Sequence, residues 1–247
     1  MIELIDVCKA FNGQVVLDHI NLTIPTGQIM VVIGKSGVGK SVLLKHIIGL
    51  LQPDSGRVLV DGQDIHLLRG QKLREFKLGL AVLFQGGALF DSLNVFENIA
   101  FPLREKTRLP EMEIARRVRE RLEQMNLTPE VDSKYPAELS GGMKKRVALA
   151  RAMIQEPEII LFDEPVTGLD PPMSNTVFHL IKKTHLDSGY TALMVSHDIP
   201  EVFQVADFVA MMHRGQIIAH GTPAEIQAHP DPVVQAFLHG EPDFLEA

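Results

Sequence analysis

The chain has 247 residues, of which 45% are hydrophobic and 22% charged, and its formal net charge at pH 7 is −7. This length allows one large domain with a substantial core, and the composition is ordinary for a soluble globular protein. The negative charge argues against a general nucleic-acid binder, because non-specific affinity comes from neutralising phosphates with Lys and Arg. With Cys8 as the single cysteine, a disulfide framework and a thiolate metal cluster are excluded.

Targeting and membrane signals are not evident in the sequence. The first residues show no basic region followed by an apolar one, so no signal peptide is predicted. No run approaches 18 consecutive apolar residues, so the chain is not expected to span a membrane alone. A reducing cytoplasmic compartment is the simplest prediction.

The first sixty residues predict short β-strands separated by turns rich in Gly, Asn, Asp and Pro. The predicted strands cover residues 2–7, 15–17, 21–24, 29–33 and 57–60. Alternation of later strands with helices predicts an α/β fold with a parallel sheet covered on both faces.

A phosphate-binding loop is predicted directly after the apolar strand 29–33. The segment matches the pattern G-x-x-x-x-G-K-[ST] and is followed by a predicted helix over 40–51, which is the strand–loop–helix setting that the pattern requires. Glycines let consecutive N–H groups turn toward one centre, and the helix N-terminus adds partial positive charge. The expected nucleotide-binding residues are Gly34, Lys35, Ser36, Gly37, Val38, Gly39, Lys40, Ser41 and Val42, with Lys40 reaching the phosphates and Ser41 holding Mg²⁺.

The middle of the chain predicts a buried strand at 80–84 and then helices from about residue 94 to 155. Asn94 with Glu97 resembles a capping box. Apolar residues at helical spacing predict a buried stripe formed by Ile114, Val118, Leu122 and Met125. The arginines at 116, 117, 119 and 121 are interpreted as a solvated face, with an interaction surface as the alternative.

Polar residues follow three predicted strands at the edge where open α/β sheets bind ligands. Asp163 and Glu164 follow strand 159–162; Asp163 is predicted to hold Mg²⁺ and Glu164 to orient or deprotonate the attacking water. His197 follows strand 192–195 and is a candidate for contacting the γ-phosphate. Gln85 follows strand 80–84 and could reach the metal or the water.

A second anion-binding helix terminus is predicted at Ser140, Gly141 and Gly142. Ser140 is a good N-cap, and the glycines allow a ligand to approach the backbone closely. Because one phosphate loop already serves one nucleotide, this terminus is predicted to contact a nucleotide held by another copy. An ordinary capped helix is the alternative.

Further along, Asp170-Pro171-Pro172 and Thr222-Pro223-Ala224-Glu225 predict two helix starts.

Together these motifs resemble the nucleotide-binding subunit of ATP-binding cassette (ABC) transporters over essentially the whole chain. Residues 34–41 resemble the Walker A loop, Gln85 the Q-loop, 139–143 the signature, 159–164 Walker B, 168–170 the D-loop and His197 the switch histidine. Phe11 lies where that family stacks an aromatic on adenine. Two positions depart from the family pattern: Met143 replaces a glutamine and Gly168 replaces a common alanine.

The resemblance implies a RecA-like P-loop core with a small antiparallel β-lobe, over about 1–85 and 157–222. It also implies an inserted helical lobe over about 86–156, and a C-terminal helical tail over about 223–247 belongs to the same prediction. Head-to-tail homodimers would hold two ATP molecules with Mg²⁺ bound by Ser41, Gln85 and Asp163. Each ATP would lie between Walker A of one copy and the signature of the other.

A narrower resemblance lies in residues 84–98 and 101–105, which look like the ATPase of MCE-type lipid transporters. Those systems move phospholipids between the bacterial inner and outer membranes. The resemblance implies a peripheral subunit on the cytoplasmic face of the inner membrane, with integral membrane permease subunits. An MCE-domain lipid-binding protein and a small STAS-domain subunit are further partners of that family.

Three alternatives remain open at this point. A soluble ABC protein acting on ribosomes or DNA usually has two cassettes or long coiled coils, and neither is present. An importer ATPase for amino acids or metals is disfavoured by segment 84–98. A phosphotransferase using the same loop would not need a signature helix.

Overall fold

The computed structural model describes residues 1–241, and the chain divides into two compact units. The first unit comprises Met1–Arg74 together with the described chain from Tyr190 onward, and the second comprises Glu75–Gly189. The predicted tail over about 223–247 therefore lies within the described residues only up to 241. The lobe boundaries expected from the sequence stay a prediction.

The first unit contains a four-stranded antiparallel sheet built near the N-terminus. Strand β1 (Ile2–Phe11) pairs with β2 (Gln14–Ile24) and with β4 (Ser55–Val60), and β4 pairs with the short β5 (Gln63–Asp64). The strand order is β2-β1-β4-β5. One face of the sheet is buried, because residues such as Ile2, Leu4 and Val7 are no more than 2% exposed.

A second set of strands in the same unit includes the two that precede the predicted phosphate loop and His197. Strand β3 (Ile29–Ile33) is parallel to both β8 (Thr191–Ser196) and β9 (Phe208–His213), and β9 is antiparallel to β10 (Gln216–Gly221). All five residues of β3 are fully buried, as expected for an inner strand of a parallel sheet covered on both faces. The helices of this unit are α1 (Lys40–Ile47), α7 (Pro223–Gln227) and α8 (Pro232–His239).

The second unit combines one parallel strand pair with four helices. Strand β6 (Leu80–Leu83) is parallel to β7 (Ile159–Asp163). Helix α2 (Gly70–Leu78) contains the boundary between the units. The helices that follow are α3 (Val95–Lys106), α4 (Glu111–Gln124), α5 (Gly141–Met153) and α6 (Pro171–Ser188).

Several local predictions in the second unit are confirmed. Asn94 and Glu97 form a reciprocal capping box at the start of α3. The apolar stripe of α4 is no more than 2% exposed at Ile114, Val118, Leu122 and Met125. The predicted solvated face is confirmed at Arg116 and Arg119, which are exposed, whereas Arg117 and Arg121 are half-buried. Arg116 forms ion pairs with Glu113 and Glu120.

Several predicted boundaries were wrong: the first strand extends to Phe11 rather than to residue 7, and three further differences have local causes. Residues 15–17 and 21–24 belong to a single strand, β2, because His19 takes a positive φ of 51° at an irregularity that interrupts the alternation. Helix α1 ends at Ile47 rather than at 51. Gly49 adopts φ 77°, and the N–H of Leu50 donates to the Lys45 carbonyl at 2.9 Å, which closes the helix. Strand β6 ends at Leu83, since a turn begins at Phe84 with the Gly87 N–H donating to the Phe84 carbonyl.

Four elements were not predicted from the sequence: α2, β5, β9 and β10. The α/β class and the combination of a small antiparallel sheet with parallel strands and helices are confirmed. Within residues 1–241, no helix combines the length and the apolar composition needed to cross a bilayer.

Candidate nucleotide-binding and catalytic site

The predicted phosphate loop connects the buried strand β3 to helix α1. Gly34 and Gly39 adopt φ values of 153° and 109°, conformations that favour glycine. A Cβ at Gly34 would lie 2.3 Å from the Met212 carbonyl oxygen, and one at Gly39 would lie 2.8 Å from the Val16 carbonyl oxygen. The loop is therefore packed so closely against β2 and β9 that these positions exclude any side chain.

Lys40 is the first residue of α1, and its side chain is held inside the loop. It is 5% exposed, and its Nζ donates to the carbonyls of Gly34 at 2.7 Å and Lys35 at 2.8 Å. Gly39 is the N-cap, and because it lacks a side chain the first turn has no side-chain cap. An ammonium group and helical N–H groups at one place form a site suited to phosphate.

Ser36 and Gly37 are exposed at the tip of the loop, and Lys35 and Val38 are half-buried. Ser41 and Val42 follow Lys40 in the first turn of α1, and both are half-buried. The Ser41 hydroxyl is an oxygen ligand of the kind that Mg²⁺ prefers.

His197 directly follows strand β8, at the same edge of the sheet where the phosphate loop follows β3. In the parallel register of β3 and β8, Ile33 is opposite Ser196, so Gly34 and His197 follow paired residues. His197 is exposed, whereas all of β8 is buried. The sequence prediction that these two segments meet at one sheet edge is consistent with this register.

Phe11 lies at the end of β1 and is 40% exposed. Lys9 places its Nζ 5.5 Å from the centre of the Phe11 ring. The partner strand β2 contacts the phosphate loop, because Leu17 Cδ2 lies 3.1 Å from the position of a Cβ on Gly39. The β1–β2 hairpin, which carries Phe11, therefore packs against the phosphate loop.

The second unit brings Gln85 and Glu164 together. Leu83 of β6 is opposite Phe162 of β7, so the residues after the two strands leave at the same edge. The Gln85 Nε2 donates to the Glu164 Oε2 at 3.0 Å. Asp163 is the last residue of β7 and is half-buried. Since the amide nitrogen of Gln85 faces Glu164, its amide oxygen is the atom suited to a cation.

Glu164 itself has an unusual backbone conformation. Its φ is 48°, in the left-handed region that residues other than glycine rarely occupy. Its Oε2 also accepts a hydrogen bond from Thr167 Oγ1 at 3.0 Å. Two donors on one carboxylate oxygen fix the orientation of the side chain.

Thr167 and Lys145 are two contributors that the sequence reasoning missed. Lys145 is 6% exposed, and its Nζ donates to the backbone carbonyls of Gln85 and Glu164. The position of Lys145 on helix α5 could have indicated its burial. Gly142 and Leu149 lie three and four residues away on the same helix face, and both are buried.

The predicted second helix terminus is the start of α5. Ser140 is the N-cap, is exposed, and accepts the Met143 N–H on its Oγ at 3.3 Å. A Cβ at Gly142 would lie 3.1 Å from Met173 Sδ, and one at Gly141 would lie 3.2 Å from Leu169 Cδ2. The two glycines therefore pack against residues at and just after the predicted D-loop.

Gly168 and Asp170 give the D-loop segment its shape. Gly168 adopts φ 82°, which glycine takes without strain, unlike the alanine common in the resembled family. Asp170 caps α6, since its Oδ1 accepts the Met173 N–H at 2.9 Å. This helix start was predicted and is confirmed.

The chain belongs to the ABC transporter family, whose model matches residues 17–167. It is an ATPase of that family and binds ATP. Solved structures of similar fold include a dimeric post-hydrolysis state of the ATP-binding cassette MJ0796 bound to ADP and Pi, with a TM-score of 0.82 and 30% identity. The alignment covers 90% of this chain and 99% of that one. A second is CbiO1 from Clostridium perfringens, with a TM-score of 0.84 and 30% identity over 96% and 94% of the two chains.

Among curated relatives, the intermembrane phospholipid transport system ATP-binding protein MlaF of Escherichia coli K12 is 41% identical over 98% of this chain and 90% of its own length. MlaF of Haemophilus influenzae is 41% identical over 98% of this chain and 92% of its own length. The probable ribonucleotide transport ATP-binding protein Mkl of Mycobacterium tuberculosis is also 41% identical, over 97% of this chain and 66% of its own length.

Proposed function

We propose that this ATPase powers phospholipid transfer between the inner and outer membranes of a bacterium, through separate integral membrane permease subunits. The observation that carries the proposal is the 41% identity to MlaF over 98% of the chain. Mkl is equally identical, but this chain spans only 66% of its length. An importer ATPase for another cargo is the second candidate.

The segment after the Q-loop is proposed to receive a membrane subunit. Phe84, Phe90 and Phe101 are 41%, 43% and 38% exposed, and the rings of Phe90 and Phe101 lie 4.8 Å apart. Exposed aromatic side chains are enriched in interfaces, where their burial contributes strongly to binding. These residues lie in the stretches that resemble MCE-type ATPases.

The nucleotide is proposed to be held by the phosphate loop, with its adenine stacked on Phe11. Lys40 and the loop N–H groups contact the phosphates. Ser41, Asp163 and Gln85 are the proposed Mg²⁺ ligands, because a hydroxyl, a carboxylate and an amide each offer the hard oxygen donor that this ion prefers. When bound, the ion supplies charge neutralisation at the phosphates.

Hydrolysis is proposed to use Glu164 as the general base, with His197 contacting the γ-phosphate. The hydrogen bonds from Gln85 and Thr167 to Glu164 Oε2 hold the carboxylate in one orientation, which supports its role as the base. Gln85 thereby links the proposed metal ligands to the proposed base.

The functional unit is proposed to be a homodimer in which Ser140, Gly141 and Gly142 contact the ATP of the opposite subunit. Support comes from the exposed, capped start of α5 and from the dimeric structure of the related cassette MJ0796. ATP binding closes the dimer, and hydrolysis reopens it, because the two nucleotide states differ in affinity for the closed form.

The proposed location is the cytoplasmic face of the bacterial inner membrane. An MCE-domain lipid-binding protein and a small STAS-domain subunit are proposed as additional partners, from the family resemblance together with the identity to MlaF.

Purification of the native complex from membranes tests the proposed transport function. We expect integral membrane subunits and bound phospholipid to copurify with the wild-type chain. Phe101→Glu should reduce the recovery of membrane subunits at least about tenfold, because a charge replaces an exposed aromatic side chain that the membrane subunit is proposed to cover. ATP binding by the variant should be unchanged.

The matched control is Met112→Glu, at a side chain that is 85% exposed and lies outside the aromatic group. It should recover the membrane subunits as the wild type does. Subunits of an amino-acid or metal importer, without phospholipid, would contradict the proposal.

A further inference from the structure

Lys145 is a buried cation in the unit that carries Gln85 and Glu164. It is the fifth residue of α5 and is 6% exposed. Burying an ammonium group is unfavourable unless hydrogen bonds compensate for the lost water. Its partners therefore explain why a lysine is found at this position.

The Lys145 ammonium contacts the backbone of both residues that form the Gln85–Glu164 pair. Its Nζ donates to the Gln85 carbonyl and, at 3.4 Å, to the Glu164 carbonyl. The side chains of these two residues are themselves joined by a 3.0 Å hydrogen bond. An ammonium group has three donors and no acceptor, so one group can bind both carbonyls at once.

Glu164 requires such support because of its backbone conformation. A φ of 48° is sparsely populated by residues other than glycine and persists only where the surroundings hold it. A cation on its carbonyl oxygen is one such restraint. The direction of the Glu164 side chain depends on this conformation.

Arg151 shows that α5 holds the segment after β6 at a second point. Its guanidinium donates to the Gly87 carbonyl at 2.7 Å and lies 5.6 Å from the centre of the Phe90 ring. Lys145 also donates to the Glu164 backbone carbonyl. Lys145 therefore joins three elements: the helix that starts at Ser140, the residue after β6 and the residue after β7.

We propose that Lys145 is a positioning residue for ATP hydrolysis, which sets the carboxylate of Glu164 relative to Gln85 and connects both to helix α5. It acts through the backbone carbonyls of the two residues. The proposal rests on the catalytic role proposed for Glu164. Its consequence is that loss of Lys145 lowers the rate of the chemical step rather than the affinity for ATP.

The test compares Lys145→Met, which keeps the length of the side chain and removes the donors, with Lys145→Arg, which keeps donors and charge. Steady-state ATPase is measured on the full chain with its copurified membrane subunits. We expect kcat to fall at least about tenfold in Lys145→Met with KM for ATP within about twofold, because small misplacements of a catalytic group are costly. Lys145→Arg should restore kcat to within about threefold of the wild type.

Lys144→Met is the matched control, since it removes the neighbouring lysine of the same helix. It should change kcat less than about twofold. Wild-type kcat in folded Lys145→Met, or a parallel loss in Lys145→Arg and Lys144→Met, would overturn the proposal. If Lys145→Met does not fold, Lys145→Leu is measured, which also lacks donors, and a wild-type kcat in that variant is equally contradictory.

A double-mutant cycle with Glu164→Gln provides a readout that a purely structural role would not move. If Lys145 acts through Glu164, Lys145→Met should lower the residual turnover of Glu164→Gln less than about twofold further. A further loss as large as that in the wild-type background would overturn the proposal. A wild-type rate in Glu164→Gln alone would instead remove the proposed base, so the two failures are distinguishable.

Discussion

Glu164→Gln is expected to lower kcat at least about 100-fold while leaving the Kd for ATP within about threefold. The amide has the shape of the carboxylate and can still accept the hydrogen bonds from Gln85 and Thr167, but it cannot accept a proton from water. The variant should accumulate as an ATP-bound dimer. Steady-state ATPase, equilibrium ATP binding and size-exclusion chromatography with ATP measure these three properties.

Glu158→Gln is the control, because Glu158 is exposed and immediately precedes β7, at the end opposite Glu164. It should keep the wild-type kcat. A Glu164→Gln variant that hydrolyses ATP at the wild-type rate would remove Glu164 from the role of base.

Ser140→Arg is the second change with a large expected effect: turnover should fall at least about 100-fold, whereas ATP affinity of the isolated monomer should stay the same. Ser140 is exposed at the start of α5, so a long charged side chain there would block contact with a nucleotide held by another copy. ATPase activity and ATP binding by monomeric protein are the measurements.

The loss of a helix cap is a second effect of this substitution, and Thr222→Arg controls for it. Thr222 caps α7 through a capping box, so the same substitution removes a cap away from the signature, at a cost of about 1 kcal/mol. It should keep wild-type turnover. If Ser140→Arg weakened ATP binding by the monomer as much as it lowered turnover, Ser140 would belong to the pocket of its own subunit.

Local patterns predicted much of the fold. Some elements are recognisable from a few neighbouring residues alone, such as the fully apolar strand β3 and the helix caps at Asn94, Asp170 and Thr222. The strand β2 was divided in two because His19 interrupts its alternation, and the end of α1 depends on the backbone angle at Gly49 rather than on the apolar pattern.

The site was predicted to the extent that it consists of residues at strand ends. Gln85 and Glu164 follow predicted strands, and the β6–β7 register brings them into contact. Thr167 and Lys145 do not follow strands and could not be found in this way, because they contribute to the site through hydrogen bonds to Glu164. A lysine in a basic run predicts solvent exposure, and the position of Lys145 on the buried face of its helix is the weaker signal that points the other way.

The central claim is that hydrolysis takes two copies of the chain, each completing the ATP site of the other. The most direct test measures ATPase rate per chain across a dilution series, with the mass of the species determined in the same samples by sedimentation. The account predicts that the rate per chain follows the dimer fraction and approaches zero where the protein is monomeric. A monomeric chain that hydrolyses ATP at the rate of the dimer would contradict it.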